Sequence, residues 1–165
     1  MEIKIYDFNK NKELSYLRML ECQSIIDNNL VKNGGTLRQE DLLTQLFDWQ
    51  YLITANIDNH PIGFSLIRKS HEDKHNTGYD NYYYISVIAV HPSAQRQGVG
   101  TELLNQTLSL PLSLPIVASC RKDNEISNHF LSNGMIKYND TRRYHRFINN
   151  KTHQLTETNN KNKKI

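Results

Sequence analysis

Cysteine is nearly absent from this chain of 165 residues. Two thiols, Cys22 and Cys120, cannot build a disulfide framework, which excludes the small stapled folds of secreted domains. Long apolar runs are missing as well. None approaches the ~20 residues needed to cross a bilayer, and Met1-Glu2-Ile3-Lys4-Ile5 lacks the long apolar segment of a signal peptide. The expectation is a cytoplasmic protein with no membrane association and with both thiols reduced and partly buried. An excess of one charge sign is missing from the body of the chain. Lysine and arginine total 20 against 17 acidic residues, but Lys151, Lys161, Lys163 and Lys164 lie in the last stretch with only Glu157. The remainder is balanced, so net charge gives no reason to expect a nucleic-acid partner. Hydrophobic residues make up 38% and charged residues 22%, which marks a folded chain on the polar side. Its length suits one domain with a sizeable core. The expected division is a single domain over 1–148, followed by a flexible, basic, Asn/Lys-rich tail over 149–165.

The periodicities that are present order the chain as β-αα-βββ-α-β-α-β-β. Ile3 and Ile5 alternate with polar residues as in a short strand. Leu14, Leu17, Leu20, Ser24 and Ile25 suggest a helix over about 10–29, broken at Asn33-Gly34-Gly35. Thr36-Leu37-Arg38-Gln39 has the form of a capping box ahead of a second helix with Leu42, Leu43, Leu46 and Phe47. Tyr51 to Ala55 reads as a strand, Asp58-Asn59 as a turn, and Ile62, Phe64 and Leu66 as the strand after it. Residues 70–80 read as a polar loop and Asn81 to Val90 as a long central strand. A short helix is expected over Thr101 to Leu108, a strand over Ile116 to Cys120, and a last helix capped by Asp123 and stopped at Asn133-Gly134. Ile136 to Tyr138 and Arg143 to Ile148 close the chain as two strands. This order predicts an α/β fold with a mostly antiparallel sheet and helices on both faces.

One segment carries chemistry: Val90-His91-Pro92-Ser93-Ala94-Gln95-Arg96-Gln97-Gly98-Val99-Gly100. A strand ends at a proline, a polar turn follows, and two glycines spaced by one residue open a helix. Gly98 and Gly100 place no side chain between backbone N–H groups and a ligand. A helix N-terminus adds unsatisfied donors and a partial positive charge, which together suit phosphate. Gly-x-Gly alone is also what a tight strand-to-helix turn uses. With its strand, Val-x-Pro and the following helix, Gln95-x-x-Gly98-x-Gly100 resembles the pyrophosphate loop of the GNAT-type N-acetyltransferases. The resemblance covers about residues 2–148. It implies a twisted, mixed, mostly antiparallel sheet of about seven strands with four helices on both faces. It also implies acetyl-CoA as cosubstrate, an amine acceptor and no metal, and it is compatible with a homodimer.

By that resemblance, Gln95, Arg96, Gln97, Gly98, Val99, Gly100 and Thr101 hold the pyrophosphate. Ile88, Ala89 and Val90 offer the strand edge that pairs with the amides of the pantetheine arm. Asp123-Asn124-Glu125-Ile126-Ser127-Asn128-His129-Phe130-Leu131-Ser132-Asn133-Gly134-Met135 is similar to a second family block, which adds Asn124 and Phe130 to the cofactor side. The family's usual proton donor to the leaving thiolate is a tyrosine, and that position reads Phe130; Tyr138, Tyr144 or water stand as replacements. The family's frequent carboxylate base on the central strand reads Tyr84. Tyr84, Ser86 and Ile88 share one strand face by alternation. A phenol with a pKa near 10 is a poor base, so a water relay held by Tyr84 and Ser86 is the alternative to aromatic packing or acceptor binding by Tyr84. The first two helices with the loop at 28–36, and the last strand pair, are the implied acceptor side.

Two further readings stand beside the enzyme. With the usual base and acid positions replaced, the same fold can act as a catalytically weak or inactive acyl-CoA-binding or regulatory module. His71-Glu72-Asp73-Lys74-His75 satisfies the zinc-hydrolase pattern His-Glu-x-x-His, which needs a helix to bring both imidazoles to one face. Here the pattern lies in a polar loop with no evident third ligand. A catalytic thiol at Cys120 has no histidine at a recognisable spacing.

Overall fold

The computed structural model describes residues 1–29 and 48–149. The expected capping box at Thr36–Gln39, the helix after it and most of the expected tail lie outside the described residues. Seven strands form a mixed sheet: β1 (Glu2–Asp7), β2 (Trp49–Ile57), β3 (His60–Ser70), β4 (Tyr82–Val90), β5 (Ile116–Arg121), β6 (Met135–Asp140) and β7 (Tyr144–Asn149). Their order across the sheet is β1-β2-β3-β4-β5-β7-β6. The β1–β2, β2–β3, β5–β7 and β6–β7 pairs are antiparallel, while β4 and β5 pair in parallel through Tyr83↔Ile116 and Tyr84↔Val117. Among the described residues four α-helices accompany them: α1 (Lys12–Glu21), α2 (Gln23–Asn29), α3 (Val99–Leu108) and α4 (Ile126–Ser132). The expected architecture is therefore present. Among the described residues no helix is long and apolar enough to cross a membrane.

Two compact units divide the chain. The first comprises Met1–Lys69 and Ile85–Ser109, the second Ser70–Tyr84 and Leu110–Ile165. In the first, Phe8, Met19, Cys22, Ile25, Ile26, Trp49, Leu52, Phe64, Leu66, Val87 and Ala89 form the core. In the second, a smaller core of Tyr82, Val117 and Ile148 is packed by Tyr79, Tyr84, Ile136 and Tyr138.

The first expected helix is two. The amide of Cys22 bonds back to Met19 O at 3.1 Å, closing α1, and α2 starts at the next residue. The leucines do not supply its buried face: Leu14, Leu17 and Leu20 are 38%, 56% and 43% exposed. A strict spacing of three drifts around a helix of 3.6 residues per turn. Ser15, Met19, Cys22 and Ile26, spaced by four and three, follow the turn, and each is buried.

At the other end of this unit α3 lies close to Gly63 of β3. A Cβ there would stand 3.0 Å from Leu103 Cδ1, 3.1 Å from Val99 Cγ1 and 3.2 Å from Ala89 O. Glycine is thus what admits α3. Gly63→Ala reduces chain entropy in the unfolded state by about 0.4–1 kcal/mol, but overpacking costs about 1–3 kcal/mol. The net expectation is a loss of about 1 kcal/mol, read as a lower urea midpoint at unchanged slope; an unchanged or raised midpoint would contradict the close approach.

Candidate functional site

The strand-to-helix connection after β4 lies wholly in the first unit. His91 N donates to Ile62 O at 2.7 Å, and Pro92–Ala94 form a single 3-10 turn. The side chains then tie the turn to itself. Gln95 Nε2 donates to Val90 O at 3.0 Å, and Gln97 Nε2 to Ser93 O at 3.1 Å. Arg96 (φ 64°) and Gly98 (φ 82°) both take the left-handed conformation. For a non-glycine residue that costs roughly 1–2 kcal/mol, so Arg96 stores strain of the kind found at ligand-holding turns. Gly98 is the N-cap of α3, and no side chain caps it. The helix begins at Val99, two residues earlier than its apolar pattern indicates, so Gly100 lies in the first turn. The first intrahelical bond runs from Glu102 N to Gly98 O at 3.0 Å. The amides of Val99, Gly100 and Thr101 precede it and have no intrahelical acceptor. Space is open where a Gly98 Cβ would stand, with no heavy atom within 4 Å.

Along β4 the side chains alternate. Ile85, Val87 and Ala89 are buried, while Tyr84, Ser86, Ile88 and Val90 are half-buried. Ser86 Oγ is a buried oxygen with no hydrogen-bond partner among the described residues. The open cradle at Gly98, the uncapped helix start and this orphaned hydroxyl fit a ligand with a diphosphate and a polar arm. Glu102, acidic in the first turn of α3, has its carboxylate turned along the helix to Gln106 Nε2 at 2.9 Å.

Asn124 and Phe130 lie in the second unit. Asp123 does not cap α4 as expected. It faces backwards in a two-pronged pair with Arg121, at 3.0 Å from Nε and 2.6 Å from Nη2. Glu125 holds the N-cap position without a side-chain bond, and Asn124 Oδ1 accepts from Ile126 N at 3.1 Å. Phe130 is buried, its ring tilted against Phe147 with centroids 5.2 Å apart.

The 71–81 loop of the same unit is not helical, so His71 and His75 do not share a helix face. Asp73 organises it by accepting from Thr77 N, Thr77 Oγ1 and Gly78 N. Partial burial opposes ionisation, but those bonds, with His75 nearby, hold Asp73 below the ordinary carboxylate value. His75 stacks on Tyr84, centroids 4.4 Å apart at 13°, and its Nδ1 meets the hydroxyl of the buried Tyr82. The His75 carbonyl accepts from Tyr138 Oη at 3.0 Å and from Arg146 Nη1 at 2.9 Å. Burial pushes the Tyr138 phenol up to about 12 against the pull of Arg146. Among the described residues no group of three His, Cys, Asp or Glu side chains is placed to hold a metal. The partnership of His75 with Tyr84, and the part taken by Arg146, had no signal in the sequence, because a loop has no periodicity that fixes which strand it folds onto.

Residues 22–135, more than half of the chain, match the profile of the Acetyltransferase (GNAT) family. The chain belongs to the GNAT family of acetyltransferases. Acetyl transfer from acetyl-CoA is the general activity of that family. No curated protein sequence matches the chain at a significant level. Among solved structures, an acyl-CoA N-acyltransferase from Pseudomonas aeruginosa is similar with TM-score 0.63 and 15% identity, covering 90% of this chain and 98% of that one. NAA60 from Arabidopsis thaliana, solved in complex with acetyl-CoA, has TM-score 0.62 and 13% identity over 89% and 98% of the two chains. An aminoglycoside acetyltransferase from an uncultured soil metagenomic sample, in complex with trehalose, has TM-score 0.60 and 17% identity over 85% and 91%. At these identities the likeness is one of fold.

The thiols of this GNAT chain are poorly placed for chemistry. Burial, with the Glu21 charge adding, pushes Cys22 up to about 12, and burial with Asp140 pushes Cys120 up to about 11. A thiol reagent at pH 8 is expected to label neither residue rapidly in the folded chain and both once denaturant is added. The raised values also set a sign. Between about pH 9 and 12 unfolded thiols ionise while folded ones hold their protons, so stability falls as pH rises through that window. Rapid labelling of native Cys120 would reinstate it as a nucleophile.

Proposed function

We propose that this GNAT chain is an acetyl-CoA-dependent N-acetyltransferase that moves an acetyl group to a primary amine of a small molecule or protein by direct attack in a ternary complex. The observation that carries the reading is the uncapped start of α3 after Gly98, with its first-turn amides and the open space beside them. Gly98, Val99, Gly100 and Thr101 would hold the diphosphate through backbone N–H groups, and Arg96 would add a charged donor. Gln95 and Gln97 contribute by fixing the turn, since their side-chain amides already donate to Val90 O and Ser93 O. Ile88, Ala89 and Val90 would present the strand edge to the amide-bearing arm.

When bound, acetyl-CoA supplies an acetyl group activated as a thioester. The chain must then provide a neutral amine, because an amine with a pKa near 10 is mostly protonated at pH 7. Tyr84 and Ser86 would hold a water that passes this proton to bulk solvent, and solvent would return a proton to the departing thiolate. The orphaned hydroxyl of Ser86 supports that role. Tyr138 is poorly suited to give a proton, because its hydroxyl is committed to the His75 carbonyl and its pKa is raised.

A second reading, an acyl-CoA-binding module without turnover, is favoured by one observation. Phe130 is a core residue packed on Phe147 and can donate no proton. Two measurements separate the readings. Calorimetry with acetyl-CoA should show saturable binding, and Gly100→Val should weaken it at least about tenfold by placing a branched side chain among the amides. A free-thiol assay across an amine panel, including a polyamine, an aminoglycoside and a peptide with a free N-terminus, should show turnover. Binding without thiol release from any amine would favour the module. No binding at near-millimolar acetyl-CoA would remove both readings.

A further inference from the structure

The 71–81 loop is built in more detail than a connector needs. Asp73 gathers three donors from Thr77 and Gly78, and this turn puts His75 at the centre of a set of aromatic contacts. His75 touches both tyrosines that β4 presents on one face. Its ring lies flat on Tyr84 at 4.4 Å and meets Tyr82 edge-on at 5.7 Å. Its backbone carbonyl is gripped twice, by Tyr138 of β6 and Arg146 of β7. Five side chains from three strands and one loop thus fix a single histidine, all within the second unit.

We propose that residues 71–81 form a strap that lays His75 on Tyr84, and that His75 is a positioning residue for the acceptor side of the acetyl-transfer site. The inference rests on the place given to Tyr84 under Proposed function. A tyrosine holding a reactive water must keep its hydroxyl within a fraction of an ångström, and small misplacements cost as much as a hundredfold in rate. Tyr84 is only half-buried, so core packing alone does not fix its ring. The imidazole covers one ring face, and the bond from its Nδ1 to the hydroxyl of Tyr82 stops the imidazole from turning. The zinc-hydrolase pattern His71-Glu72-x-x-His75 is then accounted for without metal: His75 serves through its ring plane, and His71 is an exposed neighbour.

The test uses the full chain with His75→Ala, His75→Phe and His71→Ala. Tyr84 ring-proton signals are assigned with Tyr84→Phe, and thiol-release kinetics are measured with an accepted amine. His75→Ala should shift the Tyr84 ring protons downfield by removing the stacked ring. It should lower kcat about tenfold or more while leaving the KM for acetyl-CoA in place. His75→Phe, which restores a stacked ring, should recover most of both effects, and His71→Ala should change neither. Retained acetyl-CoA affinity certifies that a variant is folded, and should His75→Ala fail that check, His75→Phe and Tyr82→Phe carry the comparison. Tyr84 signals that stay in place, or an undiminished kcat with the ring displaced, would overturn the proposal. If the unaltered chain binds acetyl-CoA but acetylates nothing, the enzyme reading fails on its own. The ring signals then still decide whether His75 holds Tyr84.

Discussion

The amides of Val99, Gly100 and Thr101 are donors with no acceptor inside their own helix. The helix must start somewhere, and it starts at Val99 without a capping side chain. Gly98 at φ 82° turns the chain out of the preceding loop and into α3. Gly63 on β3 then admits the helix against the sheet, since a methyl group there would meet Val99, Leu103 and the Ala89 carbonyl at 3.2 Å or less. The buried residues Val99, Leu103, Leu104 and Thr107 lock it in place, and Thr107 Oγ1 donates to Ser65 Oγ at 2.9 Å. The donor cluster is therefore mounted on a packed helix, and its amides are left to water or to an anion. Acetyl-CoA, the cosubstrate of the GNAT family, carries the kind of diphosphate that an uncapped helix start suits.

Donor recognition and proton handling lie on different footings in this chain. The first depends on backbone, which sequence divergence leaves in place. The second depends on side chains, and here the residue types differ from those the family resemblance leads one to expect. Tyr84 stands where a carboxylate would be the simpler base, and Phe130 belongs to the core. Around Tyr84 the local arrangement is one of aromatic order. His75, Tyr82, Tyr84 and Tyr138 are tied by stacking and hydrogen bonds, with Arg146 holding the loop that supplies the histidine.

Much of the fold was legible because it is written in periodicity. Alternation in β1 and β3, and short runs bounded by turn residues elsewhere, located the described strands to within a few residues, and Asn133-Gly134 marked the end of α4, where Gly134 takes φ 86°. Errors arose where two patterns competed. The leucines at spacing three lie on the exposed side of α1, whose buried positions are Ser15 and Met19; Cys22 at its C-cap and Ile26 in α2 continue that stripe. Asp123 looked like a cap because caps are read from residue type, yet Arg121 two residues earlier offers a stronger partner for a carboxylate. The glycine turn ahead of α3 was legible because its glycines, proline and helix are local. The His75–Tyr84 contact was not, since it depends on where a polar loop folds in space.

The central claim is that the first-turn amides of α3 hold the diphosphate of acetyl-CoA. It is tested most directly by following backbone amide signals during a titration with acetyl-CoA. The account predicts saturable changes that are largest for the amides of Gly98, Val99, Gly100 and Thr101, with the downfield shifts that new hydrogen bonds to phosphate oxygens produce. Saturable binding that leaves those four amides unmoved would contradict it.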